Sequence, residues 1–163
     1  MKSLPILVLT TGGTIDKNYF DALSEYQIVD SGIPALLKQA RVALPFRIAE
    51  VCRKDSLELT DADRAEIARA AAAAPETRIV VTHGTDTMTD TAKALAGIAG
   101  KTIVLTGALS PARFAETDAP FNLGMAFAAA QVAPPGVYIA MSGQVFDGLR
   151  VVKDRAAGRF VAI

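Results

Sequence analysis

Ile6-Leu7-Val8-Leu9-Thr10-Thr11-Gly12-Gly13-Thr14 passes without a break from a continuously apolar run into threonines and glycines. A strand wetted on one face alternates polar and apolar residues. A run that is apolar at every position is instead buried on both faces, as in the centre of a parallel sheet. Two glycines directly after such a strand permit a tight turn and a close backbone approach to a ligand, and they free N–H groups to act as donors. On this motif alone Thr14 has two readings. It is a turn or capping residue, or it is a hydroxyl that attacks a carbonyl once its proton is removed. No Gly-Lys-Ser/Thr follows, so the motif is not a phosphate loop, and the Gly-x-Gly-x-x-Gly dinucleotide spacing is absent.

The same alternation continues outward. Short apolar runs predict strands over 6–10, 46–52, 78–82, 102–106 and 137–141, and longer amphipathic runs predict helices over 33–43, 60–74, 87–98 and 121–131. The helix at 60–74 has the clearest limits. Thr60 supplies a hydroxyl cap with Asp63 three residues on, and Pro75 stops the helix. Parallel neighbours joined through helices need right-handed crossovers, so the carboxyl ends of the strands share one edge, where open α/β sheets bind ligands. The expected fold is α/β: a three-layer, doubly wound, mostly parallel sheet, Rossmann-like or flavodoxin-like, in a single domain over 1–163. At 163 residues, 51% hydrophobic and 21% charged, the chain has globular composition and can bury a core.

Three of these strands run straight into Thr-rich polar motifs: Thr11-Gly12-Gly13-Thr14, His83-Gly84-Thr85-Asp86-Thr87 and Thr106-Gly107-Ala108. Segments far apart in sequence therefore converge on one cleft. In the second motif Thr85 offers another hydroxyl, and Asp86 offers a carboxylate suited to a substrate ammonium group. Either residue could equally cap the helix that follows. His83 is the only histidine and reads as a structural residue hydrogen-bonded beneath the cleft, with a general base as the alternative. Lys153 by position is a surface lysine in a polar tail. Tyr19 and Tyr26 lie in a polar stretch after Thr14 that is long enough to form a lid, or they are half-exposed packing residues.

Composition removes several function classes. Seventeen basic and seventeen acidic side chains cancel, which gives no electrostatic footprint for nucleic acid or an anionic membrane. Cys52 is alone, so no internal disulfide forms, and a reducing compartment fits. One His and one Cys leave no zinc pattern, and the carboxylates show no calcium-loop spacing, so neither metal nor cofactor is expected. The apolar run after Met1-Lys2-Ser3-Leu4-Pro5 is broken by Gly12-Gly13, far short of membrane-spanning length, and no small-residue cleavage site follows. The expectation is a cytoplasmic protein.

Thr11-Gly12-Gly13-Thr14-Ile15 and Thr82-His83-Gly84-Thr85-Asp86-Thr87-Met88 together resemble the two signature motifs of the bacterial-type L-asparaginases. The similarity continues in order through Thr106-Gly107-Ala108-Leu109-Ser110-Pro111, Asp118-Ala119-Pro120-Phe121-Asn122-Leu123 and Asp147-Gly148, with Lys153 six residues after Asp147. The resemblance implies Thr14 as nucleophile with a lid tyrosine beside it, and a second cluster of Thr85, Asp86 and Lys153. It implies L-asparagine as the small-molecule substrate, an acyl-enzyme intermediate, and a homodimer or larger homo-oligomer. Substrate contacts would come from Asp55, Ser56, Thr85, Asp86 and Ala108. Ser56 matches the serine that holds the substrate carboxylate, and Leu57 stands where a polar contact is usual. Tyr26 fits the usual spacing of the lid tyrosine, while Tyr19 lies closer to Thr14. Members of this family are usually about twice as long as this chain, which resembles their amino-terminal domain and reads as a short-chain form. Two other functions fit the same residues: a glutaminase or other amidase subunit, and a non-catalytic amino-acid-binding module.

Overall fold

The computed structural model describes residues 4–20 and 25–163. Met1-Lys2-Ser3, and Ser24 of the Ser24-Glu25-Tyr26 motif, lie outside the described residues. The first strand, β1 (Ile6–Gly12), is buried along its whole length. It is followed by a 3-10 turn at Thr14–Asp16, then β2 (Lys17–Phe20), β3 (Glu25–Ile28), α1 (Ile33–Gln39) and β4 (Phe46–Lys54). A second 3-10 turn at Ser56–Glu58 leads to α2 (Asp61–Ala73), β5 (Arg78–Thr82), α3 (Met88–Leu95), β6 (Thr102–Thr106) and α4 (Ala119–Val132). The chain closes with β7 (Gly136–Met141), β8 (Gln144–Asp147), β9 (Val151–Asp154) and β10 (Arg159–Ala162).

The main sheet has the order β4-β1-β5-β6-β7-β8. Its first five strands are parallel, and β8 folds back antiparallel on β7. Successive residues of β1 feed opposite cores. Leu7 and Leu9 join the side covered by α2 and α3, through Ile67, Ala71, Met88, Ala92 and Leu95. Ile6 and Val8 join the side covered by α1 and α4, through Ile33, Leu37, Leu123, Ala126 and Phe127. This is the expected three-layer, doubly wound arrangement in one domain. Burial on both faces explains why these strands carry no polar alternation.

The strand order also sets the position of the cleft. From β1 the chain crosses by α1 to β4 on one side, whereas from β5 it crosses by α3 to β6 on the other. The loops after β1 and β5 therefore part at a topological switch point, the crevice where such sheets take ligands.

Two helices stop earlier than periodicity predicts. The helix expected over 33–43 ends at Gln39, and Arg41 adopts a left-handed φ of 53°. The helix expected over 87–98 is Met88–Leu95. The stretch after Thr14 is a hairpin, in which β2 and β3 pair antiparallel with Tyr19 opposite Tyr26. The supposed polar tail is also a hairpin, β9 with β10, with Lys153 opposite Phe160. Among the described residues, no helix is long and apolar enough to cross a membrane.

The start of α2 is a complete capping box. The Thr60 hydroxyl accepts from the Asp63 N–H at 3.2 Å, and the Asp63 carboxylate accepts from the Thr60 N–H at 2.8 Å. Replacement by Thr60→Ala leaves the Asp63 N–H without this acceptor. The expected loss is about 1 kcal/mol, measured as a lower urea midpoint with an unchanged slope.

Candidate functional site

The loops after β1, β4, β5 and β6 meet by backbone contact. Gly12 and Gly13 take φ values of 101° and 83°, conformations that side-chain-bearing residues rarely adopt. A Cβ on Gly13 would lie 2.4 Å from the Gly84 nitrogen, and one on Gly84 would lie 2.7 Å from the Ser56 side chain. A Cβ on Gly107 would lie 2.3 Å from the His83 carbonyl oxygen. Hydrogen bonds lock the same loops together. The Gly13 N–H donates to the Lys54 carbonyl at 3.0 Å, and the His83 N–H to the Thr106 carbonyl at 2.9 Å. The Ala112 N–H donates to the Ile15 carbonyl at 3.0 Å.

This interlock brings the predicted residues into one neighbourhood. Thr14 opens the 3-10 turn directly after Gly13, and Thr85 directly follows Gly84, across the Gly13–Gly84 contact. Thr14 lines a cavity of about 360 Å³ with Lys17, Tyr26, Leu109, Ser110, Pro111 and Phe114. Tyr26 is therefore the tyrosine that shares this cavity's lining with Thr14. Tyr19 packs beside it with ring centroids 5.1 Å apart, and the Phe114 ring centroid lies 6.0 Å from that of Tyr26.

Lys153 is drawn into a second cluster. Its ammonium donates to the Thr85 hydroxyl at 2.8 Å and to an Asp86 carboxylate oxygen at 2.7 Å. The two side chains of this ion pair are only 15% and 33% exposed, so water screens it less than an open surface pair. Thr85 and Asp86 do not cap α3. The cap position is Thr87, which makes no side-chain capping bond and donates its hydroxyl to the Ser56 carbonyl at 2.7 Å.

His83 is fully buried, with Nδ1 2.6 Å from the Gly84 carbonyl and Nε2 2.7 Å from the Thr91 hydroxyl. A carbonyl only accepts, so Nδ1 carries the proton and Nε2 accepts from Thr91. Burial pushes its pKa down to about 4. A neutral ring with both nitrogens engaged is a structural strut, as its place beneath the cleft suggested.

Two residues not singled out from the sequence take part. Asp16 is buried, and its carboxylate accepts from the Ser31 hydroxyl at 2.8 Å and the Gly32 N–H at 3.3 Å, which ties the far end of the hairpin to the Thr14 turn. Burial is the main influence on Asp16 and raises its pKa. Lys17 pairs with Asp55 at 2.7 Å. Asp55 is thereby engaged, and it also accepts from the Leu57 N–H at 3.3 Å. Burial works against the Asp55 charge, yet the Lys17 ammonium and the Leu57 N–H hold its carboxyl below the usual carboxylate range. The available signal was the position of these charges, immediately after Thr14-Ile15. Ser56 is buried against Gly84, Leu57 points outward at 65% exposure, and Ala108 is buried in the loop after β6.

That loop is shaped by Asp118, whose carboxylate accepts from the Leu109 N–H and the Ser110 N–H, and by Asn122, which donates to the Gly107 carbonyl at 2.9 Å. A wider depression of about 600 Å³ lies between α2 and α3, but among the described residues no Ser, Thr, Tyr or Cys lines it. Its Arg64 and Lys93 are already matched by Asp61 and Asp90. Among the described residues, no group of three or more His, Cys, Asp or Glu side chains could hold a metal ion.

Comparison with known proteins places this geometry. A family model described as "Asparaginase, N-terminal" matches residues 5–160. The L-asparaginase of Thermococcus kodakarensis is 32% identical over 165 residues, covering 95% of this chain and 49% of that protein. The probable periplasmic L-asparaginase of Haemophilus influenzae is 31% identical over 160 residues, covering 91% and 46%. Among solved structures, L-asparaginase I of Vibrio cholerae superposes with a TM-score of 0.87 at 28% identity, covering 98% of this chain and 51% of that one. The Thermococcus kodakarensis structure gives a TM-score of 0.84 at 29% identity, with the same coverage of 98% and 51%. The chain thus spans about half the length of the relatives it matches.

Two outcomes test the interlock. Gly13→Ala combines an unfavourable φ with a backbone clash and is expected to destabilise by about 2–4 kcal/mol. Gly97→Ala, with nothing within 4 Å of the added carbon, is expected to change stability by less than about 1 kcal/mol. Thermal unfolding of both variants compares them directly. His83 is expected to titrate near 4 by NMR, against an ordinary value of 6.5. The unfolded chain takes up this proton first, so stability declines as pH falls from 6.5 towards 4.

Proposed function

This chain belongs to the asparaginase family, whose amino-terminal domain it matches, and on that premise we propose that it hydrolyses the side-chain amide of L-asparagine with Thr14 as nucleophile. The observation that carries the reading is the Lys153–Thr85–Asp86 cluster, held on the loop that touches the Thr14 loop at Gly13–Gly84. A hydroxyl on a turn, a lid tyrosine, and an ammonium–hydroxyl–carboxylate group across one crevice form a set suited to acyl transfer.

In this mechanism the Thr14 oxygen adds to the amide carbon and the hydroxyl proton leaves through the polar network. The tetrahedral intermediate collapses with cleavage of the C–N bond, and ammonia departs carrying the returned proton. Water then attacks the Thr14 ester, which frees aspartate and restores the hydroxyl. Thr85 accepts from the Lys153 ammonium, so its own proton is available for onward donation, and this suits it to relay protons. Asp86 gives one oxygen to Lys153 and keeps the other for a substrate ammonium. The Gly13 N–H is committed to Lys54, so the oxyanion donors in this reading are the Thr14 and Thr85 N–H groups. Each is worth about 3–4 kcal/mol in comparable sites. Tyr26, which lines the cavity, takes the lid role in preference to Tyr19. Ser56 and Ala108 border the substrate through the loops they belong to. A homodimer or larger assembly in a cytoplasmic setting completes the proposal, and sedimentation velocity tests the assembly.

Ammonia release from L-asparagine, measured beside L-glutamine, tests the activity. Thr14→Ala is expected to lower kcat by at least about a thousandfold, and Lys153→Met to lower it by at least about a hundredfold. Normal turnover by Thr14→Ala overturns the nucleophile assignment. Aspartate binding without ammonia release from any amide replaces the enzyme with a binding module.

A further inference from the structure

Lys17 has no part in the mechanism above, yet it stands at the cavity. The chain turns at Asp16, and β2 opens with Lys17, so this side chain is the first that the hairpin offers to the cleft. Its position is fixed by backbone and side chain. The Lys17 N–H donates to the Thr14 carbonyl, and the neighbouring Asp16 carboxylate binds the Ser31 hydroxyl and the Gly32 N–H where the hairpin returns. The ammonium end is held by Asp55 at 2.7 Å.

Among the described residues that line the cavity of Thr14, the one charged residue is Lys17. An ammonium has three protons to donate, and the Asp55 contact uses one of them. Lys17 lines the cavity together with Thr14, Tyr26 and Ser110, so its remaining protons are within the same pocket lining that an anionic ligand would meet. The Lys17 side chain is 23% exposed, so water screens its interactions less than those of an open surface lysine. Asp55 pre-orients this charge, which lowers the entropy cost of fixing a long lysine side chain on binding.

We propose that Lys17 is a specificity-determining residue whose ammonium binds a carboxylate of the substrate while Thr14 addresses its amide. The cavity then selects monoamides of dicarboxylic acids over neutral amides of the same length. The inference rests on the amidase reading of Thr14. Its binding half, a carboxylate site at Lys17, can be measured without turnover.

Succinamate and succinamide form the test pair, since they share a chain and an amide and differ in one carboxylate. The wild-type protein is expected to favour succinamate in kcat/KM. Lys17→Gln keeps a donor for Asp55 but loses the charge. It is expected to lower kcat/KM for succinamate by about 10–100-fold through KM, with kcat and the succinamide values little changed. Lys17→Arg is expected to keep the preference. Calorimetry with succinate gives the independent reading, with an expected loss of affinity of about tenfold or more in Lys17→Gln. An unchanged substrate ratio together with unchanged succinate affinity in folded Lys17→Gln overturns the proposal. Equal losses on both amides overturn it too, because they make Lys17 a general support of the hairpin. If no amide is hydrolysed yet succinate binding depends on Lys17, the amidase reading fails and the carboxylate site stands.

Discussion

The contact on which the rest of the site depends is the approach of Gly13 to Gly84, backbone against backbone with no side chain between them. It joins the two loops that part at the switch point of the sheet. The contact is one of a chain, since Gly84 rests on Ser56 and Gly107 rests on the His83 carbonyl. Four strands therefore end in loops that fit only while these positions lack a Cβ. Packed interiors cannot yield by the width of a methyl group without cost. That rigidity gives Thr14, Ser56 and Thr85 defined places relative to one another, although none of them bonds directly to another through its side chain.

Below this layer the strand ends change chemistry together. Thr10, Thr82 and Thr106 stand opposite one another on β1, β5 and β6, all buried, where apolar residues give way to hydroxyls. Thr106 donates to the Ala140 carbonyl, and Thr11 beside them donates to the Thr82 carbonyl, both at 2.7 Å. These two hydroxyls satisfy backbone carbonyls at the ends of the strands. The Thr82 hydroxyl lacks a partner, the one such hydroxyl among the described residues. His83 continues the same function one residue further on, as a neutral ring pinned between Gly84 and Thr91.

Two ammonium–carboxylate pairs flank the crevice, Lys17 with Asp55 and Lys153 with Asp86, each at 2.7 Å and each only partly exposed. Both lysines come from hairpins outside the main sheet, β2–β3 and β9–β10. The doubly wound core thus supplies the hydroxyl-bearing loops, and the hairpins bring the cations to them. This division explains why the core motifs stand out in the sequence while the lysines do not.

Local pattern alone determined the five parallel strands, because burial on both faces demands uninterrupted apolar runs and the Gly and Thr residues mark their ends. The strands at Arg78–Thr82 and Thr102–Thr106 agree with that reading to the residue, and Thr60 begins its helix as the capping pattern requires. The ordered motifs likewise fixed the family and the gathering of Thr14, Thr85 and Asp86 at one edge. What only the tertiary structure decided were the partners across long separations. The four-residue strands of the two hairpins have no period long enough to read, and they exist through cross-strand pairing, to which β9–β10 adds the seat of Val151 and Phe160 in the core. Lys153 meets Thr85 from 68 residues away, and Lys17 meets Asp55 from 38. Propensity and periodicity act over a few neighbouring residues, whereas a charge finds its partner only once strand order and hairpin register have set the distance between them.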